Sequence, residues 1–248
     1  MLASILLMSL SIGAQGEGGV FTSQRFASIK TGEGSLGNNP SALNWFNDLR
    51  NKTAKLGTEK NISLADIQGT VYKNEAFKKG HIYYRYTPYG EFLMRYDAFN
   101  DELELKRTDE TGIEALHKNE AISCVLDNEE YHYTSFVSVS GAVTKGYLVA
   151  LFKGTTYTLY IRSVKLFKEA KPAKTSLATS FPHRFVDDVS FYIKEEHAMP
   201  TYIKPSKKEL MRLFPNQKNA LKQFFKEHSI TLKEKSDFVR TLQFLDGR

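Results

Sequence analysis

The sequence predicts a mostly β protein, α+β by count of elements. An antiparallel β-meander forms a barrel-like or sandwich domain, and a helical segment follows it. Three observations carry this expectation. From Ile67 onward, short runs alternate apolar and polar residues, the two-residue period of a strand that buries one face. Turn residues recur between the runs at short intervals, with no helical pattern intervening, which favours hairpins over βαβ units. The aromatic content is 13 Tyr and 17 Phe against one Trp, and Tyr and Phe suit pleated, half-buried surfaces.

Residues 1–12 read MLASILLMSLSI, an uncharged apolar run followed by Gly13-Ala14-Gln15. This matches the apolar core and small-residue cleavage zone of a secretory signal, placing a signal peptide at 1–14, although no Lys or Arg precedes the core. The run is shorter than the roughly 20 apolar residues a membrane span needs. No cysteine follows it, which argues against a lipoprotein anchor. Residues 15–65 form a polar lead-in rich in Gly, Asn, Ser, Lys and Thr, expected to be partly disordered. A short helix from Pro40 would interrupt it, with Leu43, Phe46 and Leu49 on one face.

The β-domain is expected over 66–204. Its candidate strands are 67–73, 81–86, 92–96, 103–107, 113–116, 121–126, 131–139, 147–152, 157–167, 185–194 and 201–203. Turns are expected at Lys79-Gly80, Pro88-Tyr89-Gly90, Asn100-Asp101, Thr111-Gly112, Asp127-Asn128, Ser140-Gly141 and Lys153-Gly154. The 157–167 strand carries apolar residues on both faces, so both should be covered.

Residues 205–248 read as a basic helical segment packed on the β-domain. Ser206-Lys207-Lys208-Glu209 is a capping-box pattern, and Leu210, Leu213 and Phe214 precede a stop at Pro215. Asn216 is the expected cap of a second helix running to about His228. Thr231-Leu232-Lys233-Glu234 is a second capping box, and Gly247 is the expected C′ residue of the last helix.

The net charge of +6 is unevenly placed. Residues 204–248 hold 11 Lys/Arg and 5 Asp/Glu, while residues 1–203 hold 23 of each sign. The basicity therefore belongs to the closing helices, where solvated lysines are its commonest cause. Lys207, Lys208, Lys218, Lys222 and Lys226 are the candidate contacts to an anionic surface.

The single cysteine, Cys124, excludes an intramolecular disulfide and a multi-thiolate metal site. Its apolar run predicts a buried, inert thiol. No nucleophile elbow, phosphate loop, dinucleotide fingerprint, paired-histidine zinc motif or calcium loop is present. The nearest approaches to a metal pair are His117 with Glu120 and His183 with Asp187 or Asp188, in strand-and-loop sequence where the spacing does not bring side chains together. No cofactor is implied. Tyr83-Tyr84-Arg85-Tyr86 reads as an amphipathic strand, with Tyr84 and Tyr86 on one face.

The most distinctive local pattern is Arg95-Tyr96-Asp97 followed by Asp101-Glu102-Leu103-Glu104. It reads as a strand, a turn at Asn100-Asp101 and a return strand, with Arg95 paired across to Glu102 or Glu104. The functional alternative groups Arg95, Asp101, Glu102 and Glu104 as a polar patch at the rim of a pocket.

Residues 69–80 (GTVYKNEAFKKG), residues 93–104 (LMRYDAFNDELE) and Lys235-Ser236-Asp237-Phe238-Val239 resemble uncharacterised exported β-rich proteins of Bacteroidota-type bacteria, a likeness covering residues 66–246. It implies a cell-envelope or periplasmic location and brings neither activity nor site residues. The functional expectation is a non-catalytic exported envelope protein that binds a partner or ligand. The alternatives are a hydrolase of envelope or environmental polymers, and a binder of anionic surfaces through the C-terminal lysines. An envelope protein or anionic envelope polymer fits as partner better than nucleic acid does.

Overall fold

A computed structural model of the chain describes residues 22–24, 67–108, 112–171 and 180–247. The expected signal run, the helix at Pro40 and nearly all of the lead-in lie outside the described residues. The protein is mostly β, and its sheet is largely antiparallel. The strands are β1 (Thr22–Gln24), β2 (Lys78–Tyr84), β3 (Thr87–Asp97), β4 (Glu102–Lys106), β5 (Glu114–Leu116), β6 (Ile122–Leu126), β7 (Glu129–Val137), β8 (Val143–Lys153), β9 (Tyr157–Lys168), β10 (Arg184–Glu195) and β11 (Thr201–Ile203).

Two meanders make up the sheet. β2 to β5 pair in chain order, as do β6 to β11, and an antiparallel β2–β6 contact joins the two sets. β1 adds to the free edge of β5. The far end curls back, so that Thr201 of β11 bridges Val137 of β7 in parallel. That bridge closes a ring of strands from β7 to β11, while β1 to β6 continue the same sheet, so the barrel-like domain is not a clean barrel.

Most of the expected strands are present, and three departures have physical causes. The 67–73 run makes only isolated bridges, Gln68 to Arg184 and Tyr72 to Asp97, because it crosses between strand ends. Lys79-Gly80 is not a turn. Gly80 lies inside β2, where an added Cβ would sit 2.9 Å from both Met94 Sδ and the Val125 carbonyl oxygen, so glycine lets neighbouring strands approach. Pro88-Tyr89-Gly90 likewise lies inside β3. The real turn is Arg85-Tyr86, both with positive φ (47° and 68°), a two-residue loop of the hand that suits a twisted hairpin. Tyr86 is consequently a turn residue, 90% exposed, and not a strand partner of Tyr84. Asp127-Asn128 makes the same kind of turn (φ 55° and 60°).

The β3–β4 turn holds the fold over. β8 and β9 pair only from Val149/Ile161 to Lys153/Thr158. Beyond that point the turn lies against both strands. The Lys165 amide donates to the Ala98 carbonyl at 3.0 Å. Asp101 accepts from the Tyr147 amide (3.3 Å) and from Arg162 Nη2 (3.0 Å). The Tyr96 hydroxyl donates to the same carboxylate. At Gly146 a Cβ would run into Asp101 and crowd the Arg162 guanidinium. Within the turn, buried Asp97 accepts from the amides of Phe99 and Asn100 (3.1 and 2.9 Å), an Asx-type arrangement that fixes its shape. An apolar core lies within the sheet, including Met94, Tyr96, Leu103, Leu105, Cys124, Tyr131, Tyr147 and Ile161. Burial pushes the Cys124 thiol well above its ordinary pKa, consistent with an inert hydrophobe.

Three helices close the chain: α1 (Lys207–Leu213), α2 (Lys218–Glu227) and α3 (Lys235–Asp246). Their apolar faces, with Leu210, Leu221, Phe224, Phe225, Phe238, Leu242 and Leu245, pack on Leu159 and Ile203 of the sheet. Ser206 caps α1 through the Glu209 amide (3.3 Å), while the Glu209 carboxylate turns to Arg212 instead of closing the box. Asn216 does not cap α2; it sits in a short 3₁₀ turn, Pro215–Gln217, and Gln217 takes the cap position. Nor does Thr231 start α3, which begins four residues later. Asp237 of its first turn reaches back to the Thr231 amide (2.8 Å) and the Leu232 amide (3.0 Å). Gly247 is the C-cap itself, at φ −82°, and not a left-handed C′ residue.

The last turn of α3 is pinned by a carboxylate. Asp246 accepts from the amides of Thr155 (2.7 Å), Thr156 (2.7 Å) and Tyr157 (2.8 Å) in the β8–β9 turn. A Cβ at Gly154 would collide with that carboxylate. The Tyr157 amide foremost, with those of Thr155 and Thr156, holds the Asp246 carboxyl below the usual aspartate range. A folded-state pKa below the unfolded one stabilises the fold above the unfolded pKa, and that stability is lost as pH falls through the folded value. Asp246→Asn is expected to cost about 1–2 kcal/mol at neutral pH. The gap between wild type and variant, measured by chemical denaturation, should narrow as the pH is taken below about 4.

Candidate functional site

A cleft of about 160 Å³ opens between residues 73–78 and the β6–β7 hairpin, and it is the candidate site. Met94, Tyr96, Leu126 and Tyr131 contribute its apolar and aromatic lining, and Lys73, Lys78, Arg95, Asp127 and Glu129 contribute the charges. The sequence builds it simply. The left-handed Asp127-Asn128 turn sets Asp127 against Lys78 Nζ (2.7 Å). Two residues on, Glu129 pairs with Lys73 and accepts from the Tyr131 hydroxyl at 2.9 Å. Strand alternation then points Tyr131 into the core beside Tyr96, ring centroids 5.2 Å apart.

Arg95 is the wall of this cleft. Its guanidinium lies between two rings, 3.7 Å from the Tyr72 centroid and 4.4 Å from that of Phe77. Nε donates to Glu104 (2.8 Å), Nη1 to the Glu75 carbonyl (3.1 Å) and Nη2 to the Tyr72 hydroxyl (2.7 Å). Both Arg95 and Glu104 are buried, and they sit in register on β3 and β4. Arg95 is therefore a fixed post around which the 72–77 segment wraps, and that wrapping creates the cleft.

The four residues grouped from sequence are thus divided. Arg95 and Glu104 are together at the cleft. Asp101 faces β8 and β9, although Tyr96, which lines the cleft, donates to it. Glu102 turns toward Lys118, 3.7 Å away. The sequence reading did not find Lys73, Lys78, Asp127, Glu129 or Tyr131. The lysines and acids lie in separate stretches, and of their placement only the Asp127-Asn128 turn was legible, not its meeting with Lys78 of β2.

His183 and His132 are held by intramolecular contacts. His183 accepts from the Ala170 amide through Nδ1 (3.1 Å) and stacks on Phe167. Glu120 goes to Lys145 (3.0 Å) and Ser135, not to His117. His132 lies on the opposite face of β7 from Tyr131, with Nε2 2.8 Å from Glu130, whose other oxygen accepts from Lys153 (2.6 Å). Burial holds the His132 pKa below its ordinary value, against the Glu130 carboxylate, which pulls it up. Among the described residues, no group of three or more His, Cys, Asp or Glu is placed to hold a metal.

Of the lysines singled out, Lys218, Lys222 and Lys226 fall at i, i+4 and i+8 on α2 and form one row. Lys207 joins them across the α1–α2 contact, its Nζ 5.4 Å from the Phe225 ring. Lys208 lies instead within the field of Glu209. Comparison with family models, with curated proteins and with solved structures finds no match.

Removing one partner from a buried ion pair leaves a charge without its counter-ion. Glu104→Ala should lower stability by about 3–5 kcal/mol, whereas Tyr72→Phe, which deletes one hydrogen bond and keeps the ring stack, should cost about 1–3 kcal/mol. Equilibrium unfolding in urea measures both. For His132, a depressed folded pKa makes stability fall as pH drops through the usual histidine range. His132→Gln should flatten the unfolding free energy between about pH 7 and pH 5, and an unchanged slope would contradict the assignment.

Proposed function

We propose that the protein is a non-catalytic, exported cell-envelope protein whose β-domain binds a small polar ligand in the Lys73–Tyr131 cleft. The observation that carries the binding reading is the cleft's construction: two lysine–carboxylate pairs stand over a tyrosine-lined floor. Such a rim offers both signs of charge and several donors and acceptors within a small opening. This suits a compact zwitterion or a hydroxyl-rich acid better than an extended apolar chain. Support for export comes from the apolar run at 1–12 and from the resemblance to exported bacterial proteins. The hydrolase alternative ranks second, because Asp127 and Glu129 are each already engaged by a lysine instead of standing free for acid–base work.

The chain's methionines supply the test. Met94 lines the cleft, while Met199 lies beyond β10 and Met211 lies on α1, both remote from it. The full chain, ¹³C-labelled at methionine methyls, is titrated with free amino acids and small uronic acids. A ligand that fits should shift the Met94 methyl saturably and leave Met199 and Met211 in place. Ala76→Trp, which fills the mouth, should abolish the shift. If no compound moves Met94, or if all three methyls move alike, the cleft is not the binding site.

A further inference from the structure

We propose that the outer face of α1 and α2 is a docking surface for an anionic lipid bilayer, separate from the cleft and independent of what the cleft holds. The surplus of positive charge is confined to residues 204–248, and within them the structure gathers four lysines. Lys218, Lys222 and Lys226 follow one another along α2, one helical turn apart. Lys207, at the start of α1, lies over Phe225 of α2, its Nζ 5.4 Å from the ring. All four are exposed, and none is within ion-pair distance of a carboxylate among the described residues. The acids of the same segment are taken up locally: Glu209 by Arg212, Glu227 by the Gln223 amide, Asp237 by Thr231 and Asp246 by the β8–β9 turn, while Glu234 is exposed just before α3.

The form of the face selects the partner. Lys218, Lys222 and Lys226 fall within about a quarter-turn of one another on α2, away from buried Leu221, Phe224 and Phe225, so their ammonium groups can meet a flat surface together. Proteins that grip single-stranded nucleic acid add exposed aromatic platforms for the bases. Here the rings beside the row, Phe224 and Phe225, are 9% and 4% exposed and turned into the core. A row of ammonium groups without stacking surfaces matches closely spaced lipid phosphates, to which each lysine adds attraction that salt screens.

The experiment is sedimentation of the full chain with vesicles of phosphatidylcholine alone, or of phosphatidylcholine and phosphatidylglycerol at about 70:30, a mixture chosen to give a negative surface potential. Neutral vesicles report whatever the apolar N-terminal run contributes. The proposal expects stronger binding to the anionic vesicles, falling as salt rises. It expects roughly tenfold or greater loss in the triple variant Lys218→Gln, Lys222→Gln, Lys226→Gln, and a clear loss in Lys222→Glu. A charge-matched control, Lys168→Gln, Lys233→Gln, Lys235→Gln, should retain binding; these three lysines are exposed but outside the row. Circular dichroism melts should show all variants folded, since every substitution is on the surface. Equal loss in the control would reduce the effect to net charge and overturn the proposal. So would retained binding in the triple variant, or no preference for anionic vesicles at low salt. Tighter binding to a single-stranded oligonucleotide than to the vesicles would assign the face to nucleic acid instead.

Discussion

The fold depends on one carboxylate placed where two strands part. Without Asp101, β8 and β9 would present unpaired backbone groups and a buried-side guanidinium at the point where they diverge, and each such group is costly when removed from water. Asp101 meets that demand from the β3–β4 turn, taking hydrogen bonds from the Tyr147 amide and Arg162 together. The same turn gives the Ala98 carbonyl to Lys165. One short loop thereby ties the first meander to the second, and Gly146 exists at its position because nothing larger leaves room for the carboxylate. Tyr96 extends the arrangement inward: its ring packs against Tyr131 and Tyr147, while its hydroxyl is bound to Asp101. Burial first, and the Asp101 charge second, push the Tyr96 pKa well up, so the phenol remains a donor.

A similar device recurs at the other end of β8. There Asp246 fills the cradle of amides in the β8–β9 turn and anchors the last helix. Both ends of this strand are thus organised by aspartates that are distant in sequence, each admitted by a glycine. Together with the buried Arg95–Glu104 pair, these contacts place much of the molecule's polar specificity at junctions between elements. The apolar cores supply bulk stability within them.

How far the sequence disclosed this follows from the range of each signal. Alternation located the strands because period two is a local property, and Arg95 opposite Glu104 followed from a turn that could be recognised between them. Turn chemistry was less dependable. Gly80 and Gly90 resemble turn residues, yet they lie inside strands, Gly80 because strand packing needs its bare backbone. Arg85-Tyr86 adopts left-handed geometry with residues that do not favour it. Thr231 looked like a helix cap, but Asp237 reversed the roles by reaching back to it. The cleft was illegible because it is assembled from residues 73–78, β3 and the β6–β7 hairpin, whose meeting is a consequence of topology. The partition of charge, by contrast, was plain from counting residues, and the four-residue spacing along α2 is what sets Lys218, Lys222 and Lys226 on one side.

The Asp101 turn holds the two meanders together where β8 and β9 separate. Amide hydrogen exchange in the full chain, wild type against Asp101→Ala, tests it most directly under conditions where both remain folded. The expected result is a selective loss of protection at the amides of Tyr147 and Lys165, with the β8–β9 pairs from Val149 to Lys153 and the amides of α2 little changed. Protection at Tyr147 and Lys165 equal to wild type, or a uniform loss that includes α2, would contradict it.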